Sequence, residues 1–253
     1  MTPVPDIHSP PPSRISEARQ WFRSSSSRPS VSAVEFVEAV ARLRLPSVFN
    51  PYSDKCPHFD MPDATARRRS NLQLQLQAAI DLEVDTVWVG RDLGYRGGRR
   101  TGIALTDEAN LASVRASFGD DLRISRATIG PATAERTAAV VWRMMRRLNA
   151  PVFTWNVFPL HPHELLSPLT NRCHTRKERE FARPILLKLI ELLRPSRIVA
   201  IGNDAAAGLA EMGIDCLKVR HPSYGGISDF QRGIAKIHGL SPDVEDDHLI
   251  HLL

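Results

Sequence analysis

The stretch VDTVWVGRDLGYRGGRRTG, residues 84 to 102, decides the fold. Its first seven residues are a short β-rich run closed by Gly90, which predicts a strand over 84–90. The loop at residues 90 to 102 sets one carboxylate, Asp92, among five glycines and four arginines. Three similar runs come later: PVFTWN (151–156), SRIVAIG (196–202) and DCLKVR (215–220). Helical patterns separate them, notably ATAERTAAVVWRMMRRLN, TRKEREFARPILLKLIELL and NDAAAGLAEMG. Strand alternating with helix is the signature of a parallel sheet covered on both faces. The expected fold is therefore α/β: three layers, α/β/α, around a central four-stranded parallel sheet.

Outward from that core, SVSAVEFVEAVARLRL places apolar residues at helical spacing, with Ser32 as N-cap and Pro46 as the stop. VFNPYSD (48–54) reads as a loop. RRRSNLQLQLQAAIDL alternates Leu and Gln over 72–77, yet its residues favour helix and it leads directly into the strand at 84, so we expect a helix. Residues 1–30, rich in Pro and Ser, hold too few apolar anchors to fold and are expected to be disordered. The α/β domain then spans 31–240, and 241–253 form an acidic tail.

Composition narrows the class. Hydrophobic residues at 42% and charged residues at 24% are ordinary for a globular protein. No stretch approaches the roughly 20 apolar residues of a spanning helix, and the N-terminus lacks the apolar run of a secretory signal, so the expected location is cytoplasmic, with no membrane partner. Three cysteines, Cys56, Cys173 and Cys216, are too dispersed for a disulfide framework and too few for an iron–sulfur cluster. A net charge of +5 is compatible with a polyanionic partner, and arginines recur at 67–69, 91–100, 143–147 and 172–179. Those at 143–147 read as a solvated helix face. In the 91–100 loop, glycines would let guanidinium groups approach phosphates.

In an open parallel sheet, ligands bind where strand C-termini empty into loops. Asp92 follows the first strand, Asn156 ends the second and His221 follows the fourth, so all three should share one rim. Generic motifs do not account for them. GYRGGRRT has Arg where a phosphate loop needs lysine, and neither GxGxxG nor GxSxG is present. HPHE (161–164) holds the His-x-Glu of zinc deaminases without their Pro-Cys-x-x-Cys. His161, His163, Cys173 and His174 are the metal-ligating alternative, against their reading as solvated loop residues.

VGRDLGYRGGRRTGIALT, TWNVF and RHPSYGG together resemble, in order, the three active-site segments of the uracil-DNA glycosylase superfamily. VFNPYSD and the Arg- and Asn-bearing helix after it resemble the branch that prefers single strands. The likeness covers most of residues 45–240. It implies a monofunctional DNA-repair hydrolase that flips uracil out of DNA and cleaves its N-glycosidic bond without metal or other cofactor, acting as a monomer. Asp92 would hold or activate water and stabilise the cationic sugar, and His221 would donate to the uracil O2. Asn156 would read O4 and N3, with Gly90 and Arg91 completing the pocket. No lysine lies in the motifs, which disfavours Schiff-base chemistry.

Some positions depart from the family pattern. Leu105 stands where an aromatic stacks on the base, leaving Phe158, Phe49 and Tyr52 as alternatives. Gly94 stands where uracil-selective members carry a tyrosine. The loop after His221 has Tyr224, Gly225 and Gly226 in place of a leucine wedge. For DNA, the expected phosphate contacts are Arg96, Arg99, Arg100 and Arg220, with Ser223 and Tyr224 beside them. A catalytically idle nucleic-acid binder and a nucleotide-binding α/β protein remain the alternatives.

Overall fold

The structure, a computed structural model, describes residues 32–148 and 150–241. The segment 1–30 and nearly all of the tail 241–253, each with its own sequence expectation, lie outside them. In chain order come α1 (Ala33–Ala41), β1 (Val48–Phe49), α2 (Ala64–Asp81), β2 (Thr86–Gly90), α3 (Gly98–Thr101), a 3-10 turn (Glu108–Asn110), α4 (Leu111–Phe118), α5 (Arg136–Met145), β3 (Phe153–Asn156), β4 (His161–Pro162), α6 (Arg176–Leu193), β5 (Arg197–Ile201), α7 (Asn203–Glu211), β6 (Leu217–Val219) and α8 (Ile227–His238).

Four strands form one parallel sheet in the order β3-β2-β5-β6, flanked by helices in three α/β/α layers. All five residues of β2 and all four of β3 are buried, as expected of a sheet covered on both faces. Trp88, Trp155, Phe153 and Phe36 are fully buried in the core, and the Phe36 and Trp155 rings lie 5.4 Å apart. The register pairs Gly90 with Asn156, and Ile201 with Val219. Asp92, Asn156, Gly202 and His221 are therefore delivered to one edge of the sheet.

Ser32 caps α1 through a capping box with Glu35, worth about 1 kcal/mol. That helix ends at Ala41, short of Pro46, because Arg42 closes it with its own backbone N–H bonds. The Leu–Gln segment is helical, as its residue preferences require. VFNPYSD is only partly loop: Val48 and Phe49 pair antiparallel with Pro162 and His161. The glycine-rich loop is also more ordered than its composition implies, since Gly98–Thr101 form a helical turn. Among the described residues, no helix is long and apolar enough to cross a membrane.

Candidate active site

At the C-terminal edge of the sheet lies a cavity of about 580 Å3, within the range of roughly 300–1,000 Å3 usual for small-molecule sites. Gly90, Arg91, Asp92, Gly94 and Leu105 line it from the glycine-rich side. Arg220, His221, Ser223 and Tyr224 line it from the loop after β6. Asp92 and His221, from two distant chain segments, thus face one cavity, while Asn156 lies behind its lining residue Gly90.

The Asp92 side chain is 5% exposed, and both oxygens are engaged. Oδ2 accepts from Arg91 Nε at 2.5 Å, and Oδ1 contacts His174 Nδ1. Arg91 also donates to Asp204 Oδ2 at 2.8 Å, from the first turn of α7. A carboxylate held at both oxygens is fixed in place.

His221 is set up differently. Its Nδ1 accepts from the Ser223 backbone N–H at 3.1 Å and faces Ser223 Oγ at 2.7 Å. In the neutral ring the proton is then on Nε2, the nitrogen left to donate elsewhere. Burial, and next the Arg91 charge, push its pKa below the ordinary value, so the neutral ring is favoured. Gly202 backs it: at φ +93 its position suits glycine, and a methyl there would stand 3.1 Å from His221 Cβ.

Asn156 is 1% exposed, and neither Oδ1 nor Nδ2 has a hydrogen-bond partner. A buried amide without partners costs roughly 1–3 kcal/mol. It lies against Gly90, where a methyl would come within 2.5 Å of Oδ1 and 2.9 Å of Leu105 Cδ2. Glycine at 90 is thus what lets the amide and Leu105 close over a cavity residue. Leu105 holds a left-handed backbone, φ +55, an uncommon conformation for a branched side chain.

Three expectations are corrected. Phe158 is fully buried and packs its ring 5.4 Å from that of His174, so it backs His174 and offers no stacking face to a base. Arg99 is 2% exposed: its guanidinium lies 3.8 Å from the Phe49 ring centroid and donates to the Pro168 carbonyl. Arg100 lies 3.8 Å over Phe59 and pairs with Glu108 at 3.4 Å. Neither arginine is placed for phosphate. Arg96 and Arg220 are exposed. Tyr224 is 96% exposed with φ +50, while Phe49 and Tyr52, the other stacking alternatives, are buried.

The histidines of the metal alternative have other partners. His161 accepts from Arg99 at Nδ1, 3.1 Å, and its Nε2 faces the Thr170 carbonyl at 2.8 Å. Burial, with the Arg99 charge, lowers its pKa to about 3. Among the described residues no group of three or more His, Cys, Asp or Glu is arranged to hold a metal ion.

Two features of the site escape a reading of the sequence. His174, which the sequence presents only as a metal-ligating candidate, precedes the capping box of Thr175 and Glu178 that starts α6 and fixes its backbone. Glu135 lines the cavity with its carboxylate 3.3 Å from where a Gly94 methyl would stand, so it occupies the space beside Gly94. Burial, and then Asp107, raise its pKa. No local motif marks either residue.

A family model described as Uracil DNA glycosylase superfamily matches residues 79–231. Among solved structures, the fold is similar to that of SMUG2 from Pedobacter heparinus, with a TM-score of 0.52 and 12% identity, covering 89% of this chain and 95% of that one. No curated protein matches the chain in sequence.

Proposed function

The chain belongs to the uracil DNA glycosylase superfamily, and from that premise we propose that it removes uracil from DNA by hydrolysing the N-glycosidic bond of a flipped nucleotide, leaving an abasic site. The observation that carries this reading is the partnerless amide of Asn156, lying against the wall of a cavity that Asp92 and His221 both line. The uracil edge would supply what that amide lacks: O4 accepts from Nδ2 and N3–H donates to Oδ1. Cytosine offers the reverse pattern.

The chemistry follows from charge. As the C1′–N1 bond breaks, its electron pair leaves with the base and the sugar becomes cationic. The fixed Asp92 carboxylate stabilises that cation and orients a water whose oxygen bonds to C1′ and whose proton passes to the carboxylate or to solvent. Both of its oxygens already accept from charged or ring N–H groups, so most of its contribution is electrostatic. His221 donates Nε2–H to the base oxygen where negative charge gathers. Flipping costs a few kcal/mol, least from a single strand, and phosphate contacts from Arg96 and Arg220 offset part of it.

The test uses labelled uracil-containing and control oligonucleotides, treated with alkali after incubation. Wild type should produce breaks only at uracil. Asp92→Asn should slow single-turnover cleavage by about 100- to 1,000-fold or more, and His221→Ala should also slow it. An Asp92→Asn protein as fast as wild type would remove the mechanism.

A further inference from the structure

His174 is buried, with its side chain 4% exposed, and both ring nitrogens have partners. Nδ1 meets Asp92 Oδ1, and Nε2 lies 3.4 Å from Arg179 Nη1. An arginine can only donate and a carboxylate can only accept, so in the neutral ring this placement puts the proton on Nδ1, pointed at Asp92, and leaves Nε2 to accept. Arg179 is itself held by Glu211, at the C-terminal end of α7, and Phe158 covers the ring. Beyond occupying one Asp92 oxygen, these groups have no part in the reaction described above.

We propose that His174 is a positioning residue: Arg179 locks it as the Nδ1–H tautomer, and that N–H fixes the Asp92 carboxylate toward the reacting carbon. The arrangement completes a clamp in which Arg91 holds one oxygen and His174 the other, each anchored through an arginine to α7, by Asp204 and by Glu211. A pivot about the Asp92 χ angles would move the anion off the line to C1′. A second donor on the far oxygen prevents that rotation, which a single contact does not.

The inference rests on the assignment of Asp92 to the sugar side, and its tests fail separately from that assignment. Ring-labelled 15N spectra of the wild-type protein should show the His174 Nδ1 as a protonated, pyrrole-type nitrogen and Nε2 as pyridine-type. The opposite pattern overturns the tautomer lock whatever the activity. Kinetically, His174→Leu should lower single-turnover kcat by about 10- to 100-fold with little change in KM for uracil-containing DNA. His174→Asn places an amide N–H near the position of Nδ1 and should recover most of the loss. If both variants lose kcat equally while melting alike, or if His174→Leu keeps full kcat, the positioning role is wrong. Should His174→Leu fail to fold, the spectra and His174→Asn still decide.

Discussion

The arginines packed around Asp60 and Glu108 and those around the cavity mouth come from equally basic stretches of sequence, yet they are used in opposite ways. Arg68 is fully buried, with its two terminal nitrogens on the two oxygens of Asp60 at 2.9 and 2.7 Å and Nε on the Pro51 carbonyl at 2.6 Å. Glu108, equally buried, gathers Arg100, Arg126 and Thr128. Phe49 and Phe59 provide the aromatic faces beneath Arg68, Arg99 and Arg100. Arg220, on the cavity lining, and Arg96, two residues beyond the lining residue Gly94, stand exposed. Whether an arginine meets solvent therefore depends on whether the fold supplies a buried carboxylate or carbonyl opposite it, and that is not encoded within the basic stretch.

Removing an interior cation should have the largest effect. Arg68→Ala leaves Asp60 buried and unpaired, costing about 3–5 kcal/mol and lowering the melting midpoint by roughly 10 °C. A calorimetric midpoint equal to wild type would break the distinction between the two groups. The mouth arginines should behave in the opposite sense. Arg96→Ala with Arg220→Ala should leave the midpoint nearly unchanged while reducing the slope of log K against log salt by about 1 for each phosphate no longer neutralised, measured by fluorescence anisotropy on uracil-containing strands. Replacing Arg99 and Arg100 should instead act on the midpoint.

The same contrast applies to the histidines. His161, inside, is held neutral to about pH 3 by burial beside Arg99, whereas His221, at the mouth, is lowered by burial and Arg91 but retains the Ser223 hydroxyl as an adjustable partner. Its NMR titration midpoint should lie below 6.5. As pH falls through that midpoint, Nδ1 gains a proton and can no longer accept from Ser223. Ser223→Ala should move the midpoint upward, toward the ordinary value; a downward move would contradict the tautomer assigned to His221.

The smallest effect concerns two carboxylates. Glu108 is clamped by arginines, while Glu135 has its pKa raised by burial and Asp107, with Arg96 only partly opposing. A raised folded pKa stabilises the fold below the unfolded value of 4.5 and loses that advantage as pH rises through the folded value. Glu135→Gln should therefore melt about 1–3 °C higher than wild type at pH 7, with the difference vanishing below pH 4.5.

Much of the fold was legible because its signals are local. Four short apolar runs ending at glycine, asparagine or a polar loop give the parallel sheet, and Ser32 with Glu35 gives a helix start. Asp92 and His221 could be placed on one cavity because each follows a strand of that sheet. The features that could not be read depend on partners far away in the chain. Arg99 is buried because residues 49, 161 and 168 close on it, and His174 gains its meaning from Asp92, 82 positions earlier. The two-residue strand at Val48 is too short for any periodicity and exists only through its pairing with Pro162.

The glycine-rich loop is sewn to the rest of the chain at widely separated points. Leu93 N–H reaches the Leu160 carbonyl, Tyr95 N–H reaches Asn171, Tyr52 OH reaches the Gly102 carbonyl and Asn71 reaches the Thr101 carbonyl. Such long-range stitching ties the segment bearing Asp92 to chain positions 52, 71, 160 and 171, so its order is expected to be lost together with the packing of those segments rather than before it. Heat inactivation and global unfolding are then expected to coincide as one cooperative event rather than two.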